Sequence, residues 1–321
     1  MLTHSGDYFT VERVAEALAR RGARPFRLNT DLFPEELRIS SGLGNRGTDY
    51  TVEAGGERLR AVEVRAVWAR KLWMPRLDER LDEQLRAMCA RESVAALEGF
   101  LDGLHDALWV NQPAREREAE NKLLQLRLAS EVGLRIPRTL VTNDPARAQK
   151  FYKELGGSMV AKLLRPLSVS MNDAPFFVYT NEVTARDLED AETLRHCPMV
   201  FQERVPKERE LRVAYVGGEL FTGAIDAAAS ARGATDWRRA EVGEVSWEHS
   251  EVPREVADAL DALMTRLGLA YGAVDLIQTP SGEHVFLEVN PGGEWGMLER
   301  DLGLLISEAI ADVLLGLAPH R

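Results

Sequence analysis

"FLEVNPGGEWGMLE", Phe286 to Glu299, decides how this chain is read. It begins as a hydrophobic strand and breaks at Pro291, Gly292 and Gly293. Glu288 and Asn290 stand two residues apart inside it. On a strand, residues i and i+2 point to the same face. An apolar strand therefore brings a carboxylate and an amide to one side, just where its backbone turns away.

The preceding residues supply a partner strand. "YGAVDLIQTPSGEHVFLEVN" reads as a hairpin turned at Ser281-Gly282, with Asp275 on its first arm. Buried carboxylates are costly unless paired or metal-bound. Asp275, Glu288 and Asn290 are hard oxygen donors, a set that suits Mg²⁺ completed by water and phosphates. The plainer alternative is that the two carboxylates salt-bridge to arginines.

Cations lie upstream. Lys162 sits mid-strand in "SMVAKLLRP", where an ammonium has to neutralise something. A nucleotide phosphate and an ordinary ion pair both answer that need. Lys122 opens a helix, and most helical lysines are simply solvated. In "PMVFQERVPKERELRVAYVGG" an apolar strand runs into a charged connector, then into a strand where Glu210 and Arg212 share a face. A planar guanidinium there suits a phosphoryl group or a carboxylate; a surface charge ladder is the alternative. Neither a GxxxxGK[ST] loop nor a GxGxxG turn after a strand is present.

The chain has 321 residues, enough for two or three lobes. Its composition, 45% hydrophobic and 28% charged, is ordinary for a globular protein, and its mix of helical and strand patterns reads as α/β (α+β). A net charge of −11 argues against general nucleic-acid binding, which needs a basic face. No apolar run is long enough to span a bilayer. Cys89 and Cys197 lack CxxC spacing, which fits a reducing cytoplasm. Residues 1–115 read as a small lobe with a parallel sheet; strands dominate from Pro198 onward, and a C-terminal helix closes the chain.

The order Lys122, Lys162, "FQERV", "ELR", "GAVDL", "FLEVNPGG" resembles the ATP-grasp superfamily of carboxylate–amine ligases, over roughly residues 116 to 315. "FVYTNEVT", "FQERVPKERELRVAYVGGELFTGAID", "DWRR" at Asp236 to Arg239 and "EVNPGGEWGMLE" are similar to the graspetide (microviridin-type) peptide ligases. The resemblance implies an ATP-grasp fold. Residues 1–115 would form a pre-ATP-grasp domain, 116–197 a lid-like central subdomain, and 198–321 the catalytic subdomain.

It also implies roles. Lys122 and Lys162 would contact ATP phosphates. Glu203 and Val205 would border the adenine, and Lys207 or Glu210 would reach the nucleotide. Glu210 stands where many relatives have Asp. Asp275, Glu288 and Asn290 would hold two Mg²⁺ ions. Arg212 would steady the γ-phosphate and the acyl phosphate, and Arg238 or Arg239 would orient the phosphoryl group or the substrate carboxylate. Trp295 would wall off the reacting space.

The implied reaction is ATP-dependent ring closure in a precursor peptide with a leader and a Thr/Glu-rich core, carried out by a homodimer. The leader site would fall within Leu164 to Glu182. A RimK-like ligase that adds an amino acid to a protein or small molecule is the nearest alternative.

Overall fold

The computed structural model describes residues 1–164, 180–189, 191–226 and 246–318, together with the backbone of two strands at 168–171 and 174–177. The first lobe contains β1 (Leu2–Thr3), α1 (Thr10–Arg20), β2 (Leu28–Asn29), β3 (Arg38–Gly44), β4 (Gly47–Ala54), β5 (Glu57–Arg60), β6 (Ala66–Trp68), α2 (Glu83–Asp102) and β7 (Leu108–Val110). β1 pairs with β2, and β6 with β7, all in parallel. A bridge between Leu2 and Ala69 joins the two pairs. The expected parallel sheet is thus present, and β3, β4 and β5 add an antiparallel meander.

α3 (Pro113–Ala119) and α4 (Lys122–Glu131) follow. Lys122 opens a helix, as its sequence suggests, and a short helix precedes it. Asn121 divides the two, because its side chain accepts from the N–H groups of Leu123 and Leu124 and starts α4 afresh.

The central lobe holds β8 (Thr139–Thr142), α5 (Pro145–Glu154), β9 (Met159–Lys162), β10 (Ser168–Met171), β11 (Ala174–Phe177), β12 (Asn181–Val183) and β13 (Met199–Glu203). Its sheet runs β12-β9-β13-β8, all antiparallel. Met159, Ala161, Val183 and Phe201 pack on one face against Ala148 and Phe151 of α5. The alternation sends Lys162 to the other face. β13 lies past the boundary expected at residue 197 yet pairs inside this sheet. "APFFVYTNEVT" contributes two strands: β11 pairs with β10 and β12 with β9.

The last lobe holds β14 (Arg209–Val216), β15 (Glu219–Asp226), β16 (Glu248–His249), α6 (Arg254–Leu267), β17 (Tyr271–Gln278), β18 (His284–Asn290), α7 (Gly296–Leu302) and α8 (Ile306–Leu314). Its five strands run β16-β15-β14-β17-β18, all antiparallel. The hairpin expected at Ser281-Gly282 forms from β17 and β18, and β14 and β15 form another. Gly217 and Gly218 take φ of 57° and 103° in the β14–β15 turn, a pair of left-handed values that suits glycine.

One face of this sheet buries Leu211, Val213, Val274, Leu276, Phe286 and Val289 against α4 and α6. On the other face Ala214, Val216 and Tyr271 lie beneath α1, α7 and α8. α1 is pinned to α8 by Arg21, which pairs with Glu308 and with Asp312 at 2.8 Å. The first lobe is therefore built onto the last one.

Candidate active site

Where the apolar cover of the second face ends, charge begins. Strand register sets three successive cross-strand rows on that face. The first joins Glu210, Ile277 and Val285; the second Arg212, Asp275 and Glu288; the third Ala214, Ala273 and Asn290. The middle row places Asp275 and Glu288 directly opposite each other. Asn290 Nδ2 lies 3.4 Å from Glu288 Oε1.

A β-bulge makes this arrangement possible. Asp275 pairs with Glu288, but the next pair is Leu276 with Phe286, so Leu287 is the extra residue. Strict alternation would put Phe286, Glu288 and Asn290 on one face. The bulge shifts the phase, sending Phe286 into the α4/α6 core while Glu288 and Asn290 keep the site face.

Each acid meets a cation. Arg212 Nη1 donates to Asp275 Oδ1 at 2.7 Å, and Lys122 Nζ lies 2.7 Å from Glu288 Oε2. The salt-bridge alternative thus describes these contacts, but both cations are themselves nucleotide candidates. Burial works against the charge of Arg212, yet Asp275, Tyr271 and Glu288 together hold the guanidinium above its ordinary pKa. Among the described residues, no cluster of three His, Cys, Asp or Glu is arranged to hold a metal. The donors here are two carboxylates and one amide, which fits Mg²⁺ better than a dedicated protein cage would.

The remaining candidates divide. Val205 packs with Ile277, Val285 and Leu287 in a small apolar cluster on the same side of the sheet. Lys207 Nζ donates to Glu210 Oε1 at 2.5 Å. Glu203 ends β13 on the central sheet; its carboxylate accepts from the Arg138 N–H at 3.2 Å and lies 3.7 Å from Arg135. Lys162 ends β9 and belongs to the central sheet rather than to the row. Arg238 and Arg239 lie outside the described residues.

Several contributors had no clear sequence signal. Gln125 of α4 is 2% exposed. Its Nε2 donates to Val289 O at 2.8 Å and Ala119 O at 2.5 Å, and its Oε1 accepts from Val289 N–H at 2.9 Å. This amide completes the edge strand β18. Lys122, three residues earlier, is on the same side of the helix and so meets Glu288. Asn111 Oδ1 accepts from the N–H groups of Ala270 and Tyr271 at 2.8 and 3.0 Å, fixing the start of β17.

The Pro-Gly-Gly segment folds back over the sheet. Tyr271 OH donates to Gly293 O at 2.7 Å. Arg70, from the first lobe, donates to Gly292 O at 2.6 Å and to Glu294 Oε2 at 2.5 Å, and Lys71 also pairs with Glu294. Burial works against the charge of Glu294, but Arg70 and Lys71 hold its carboxyl below the ordinary range. Trp295, expected beside the reacting space, is fully buried in the core with Leu298 and Ile310.

The MvdD pre-ATP grasp domain family matches residues 1–117. The macrocyclase MdnB from Microcystis aeruginosa MRC is 48% identical, over 98% of this chain and 97% of that one, with a TM-score of 0.83. The chain belongs to the graspetide family of ATP-grasp ligases. The macrocyclase MdnC of the same strain, solved bound with precursor peptide MdnA, is 33% identical to this ligase over 98% of each chain, with a TM-score of 0.88. A RiPP-associated ATP-grasp ligase from Chryseobacterium gregarium, solved with ADP and a leader and core peptide, is 30% identical, over 100% of this chain and 97% of that one, with a TM-score of 0.94. No curated protein matches.

Proposed function

We propose that this ligase closes rings within a ribosomally made precursor peptide. It would join an Asp or Glu side-chain carboxylate to a Thr or Ser hydroxyl as an ω-ester, or to a Lys amine as an ω-amide. The observation that carries this reading is the Arg212–Asp275–Glu288 row, closed by Lys122, in a chain of this family.

A carboxylate is a poor electrophile. Transfer of the γ-phosphoryl group of ATP to a carboxylate oxygen gives an acyl phosphate and releases ADP. The hydroxyl or amine then bonds to the acyl carbon, the bond to phosphate breaks, and inorganic phosphate leaves. The peptide loses one water per ring. Arg212, fixed by Asp275 and by the Glu294 carbonyl, presents a planar cation where negative charge builds up. Lys122 and Lys162 are assigned to the ATP phosphates. Val205 and its apolar neighbours, with Glu203, border the adenine, and Lys207 or Glu210 reaches the nucleotide. Asp275, Glu288 and Asn290 are the residues that would hold Mg²⁺, as two ions, supplying charge neutralisation at the phosphoryl oxygens.

The β10–β11 hairpin stands in the stretch assigned to the leader. A Thr/Glu-rich core, a cytoplasmic setting and a homodimer complete the reading. A groove of about 440 Å³ lies between β3, β4 and α2, lined in part by Ile39, Leu43 and Tyr50. Leu43 is 72% exposed at that groove.

The test is incubation of the ligase with ATP, Mg²⁺ and the precursor peptide encoded beside its gene. Water loss from the peptide together with ADP formation supports the reading. A mass gain from added free amino acids would move it to the RimK-like reaction.

A further inference from the structure

The sandwich around Gly292 and Gly293 links the first lobe to the reaction row. A Cβ on Gly292 would stand 3.1 Å from Arg70 O. A Cβ on Gly293 would stand 2.5 Å from Ala273 Cβ and 3.0 Å from Arg212 Nη2. The segment therefore lies close against Arg70 of the first lobe at one residue and against the catalytic sheet at the next. Only glycine permits both approaches.

Arg70 is 2% exposed, and its Nη atoms are spent on this segment, at Gly292 O and Glu294 Oε2. Its Nε lies 3.9 Å from Asp7. The backbone carbonyl of Glu294 accepts from Arg212 Nε at 3.2 Å and from Nη2 at 3.0 Å. Arg212 is thus held on one side by Asp275 and on the other by a carbonyl whose own residue is gripped from the first lobe. We propose that Arg70 is a positioning residue for Arg212, and that the first lobe contributes to phosphoryl transfer through this clamp. The geometric part stands on the contacts above; the catalytic part rests on the function proposed for Arg212.

A single displaced carbonyl would free two guanidinium N–H groups. A mispositioned Arg212 lowers turnover while leaving ATP affinity set by Lys122 and the metal ligands.

The test uses the full chain with ¹⁵N-labelled arginine. The Arg212 Nε–H resonance is assigned by its absence in Arg212→Lys. In the wild type this proton exchanges slowly; in Arg70→Met it loses protection. With peptide and Mg–ATP, Arg70→Met lowers kcat about tenfold, with KM for ATP within about twofold, and its effect does not multiply with that of Arg212→Lys. Arg70→Lys restores part of the activity, because it retains a charge for Glu294 but loses the fork. Glu294→Gln, on a side chain 48% exposed, provides a variant that folds if Arg70→Met does not, and weakens the same resonance.

An Arg212 Nε–H that stays protected in both Arg70→Met and Glu294→Gln overturns the clamp. Lost protection with unchanged kcat overturns its role in catalysis. A wild type that makes no ADP with peptide overturns the proposed function instead, and leaves the exchange result to decide the clamp.

Discussion

Lys122 Nζ stands 2.7 Å from Glu288 Oε2, across the seam between the first turn of α4 and the edge strand β18. The pair is largely shielded, with side-chain exposures of 16% and 12%. A lysine assigned to phosphate and a carboxylate assigned to metal thus neutralise one another in this arrangement. On the proposed assignment, Mg–ATP would give each a new partner of the right sign, and the exchange would leave no bare charge.

Lys122→Met removes one side of that exchange. It takes from Glu288 the cation that stands 2.7 Å away. We expect ATP affinity to fall about tenfold and stability to fall by about 1–3 kcal/mol, the range for losing a partner of a shielded charge. Nucleotide titration and urea denaturation check both. Unchanged ATP affinity would remove Lys122 from the phosphate site.

Gln125→Met keeps the volume of the side chain and removes its hydrogen bonds to Ala119 and to both backbone groups of Val289. Buried backbone groups without partners cost about 1–3 kcal/mol each, so a clear loss of stability is expected. ATP affinity should fall with it, because α4 carries Lys122. If affinity holds while stability drops, α4 is placed by its apolar contacts alone.

Gly293→Ala tests the close approach of the loop. The added methyl meets Ala273 Cβ at 2.5 Å, which requires a backbone shift. Overpacking of this kind costs about 1–3 kcal/mol. Turnover should fall more than folding does, since Arg212 Nη2 is the next atom met, at 3.0 Å. A fully active, normally stable variant would show that the loop has slack.

Glu116 provides a pH signature. Burial pushes its carboxyl up to about 8, against the opposing hydrogen bond from Asn111. Between its ordinary 4.5 and about 8, the folded chain keeps a proton that the unfolded chain has released. Folding takes up a proton in that window, so this group's contribution to stability declines as pH rises through it. Glu116→Gln retains an acceptor for Asn111 and removes the titration. Its Tm should exceed that of the wild type by about 3 °C or more at pH 8 and converge with it near pH 5. Parallel Tm profiles would place the proton elsewhere.

Much of this site was legible in the sequence because it depends on period and turn chemistry. Ser281-Gly282 and Gly217-Gly218 fix two hairpins, and the i, i+2 rule puts Glu288 with Asn290 and Glu210 with Arg212. The bulge at Leu287 was hidden, because "HVFLEV" is apolar enough to satisfy either phase. α5 went unread despite its markers, Asp144 as a capping residue and Pro145 in its first turn. Trp295 was placed at the site by analogy, whereas its burial follows from tertiary packing beneath α8. Gln125 has no local signal, and Arg70 reads only as one of several arginines in "VRAVWARKLWMPR", suited to an acidic peptide or to internal ion pairs. Gln125 meets Val289 and Arg70 meets Gly292, each more than 160 positions away, so no local pattern announces these contacts.

The most direct measurement is the intact mass of the precursor peptide after incubation with the ligase, ATP and Mg²⁺, with Glu288→Gln alongside. The account predicts a product lighter by one water per ring, ADP formed in step, and no change with the variant. A peptide of unchanged mass with no ADP formed, or equal activity in Glu288→Gln, would contradict it.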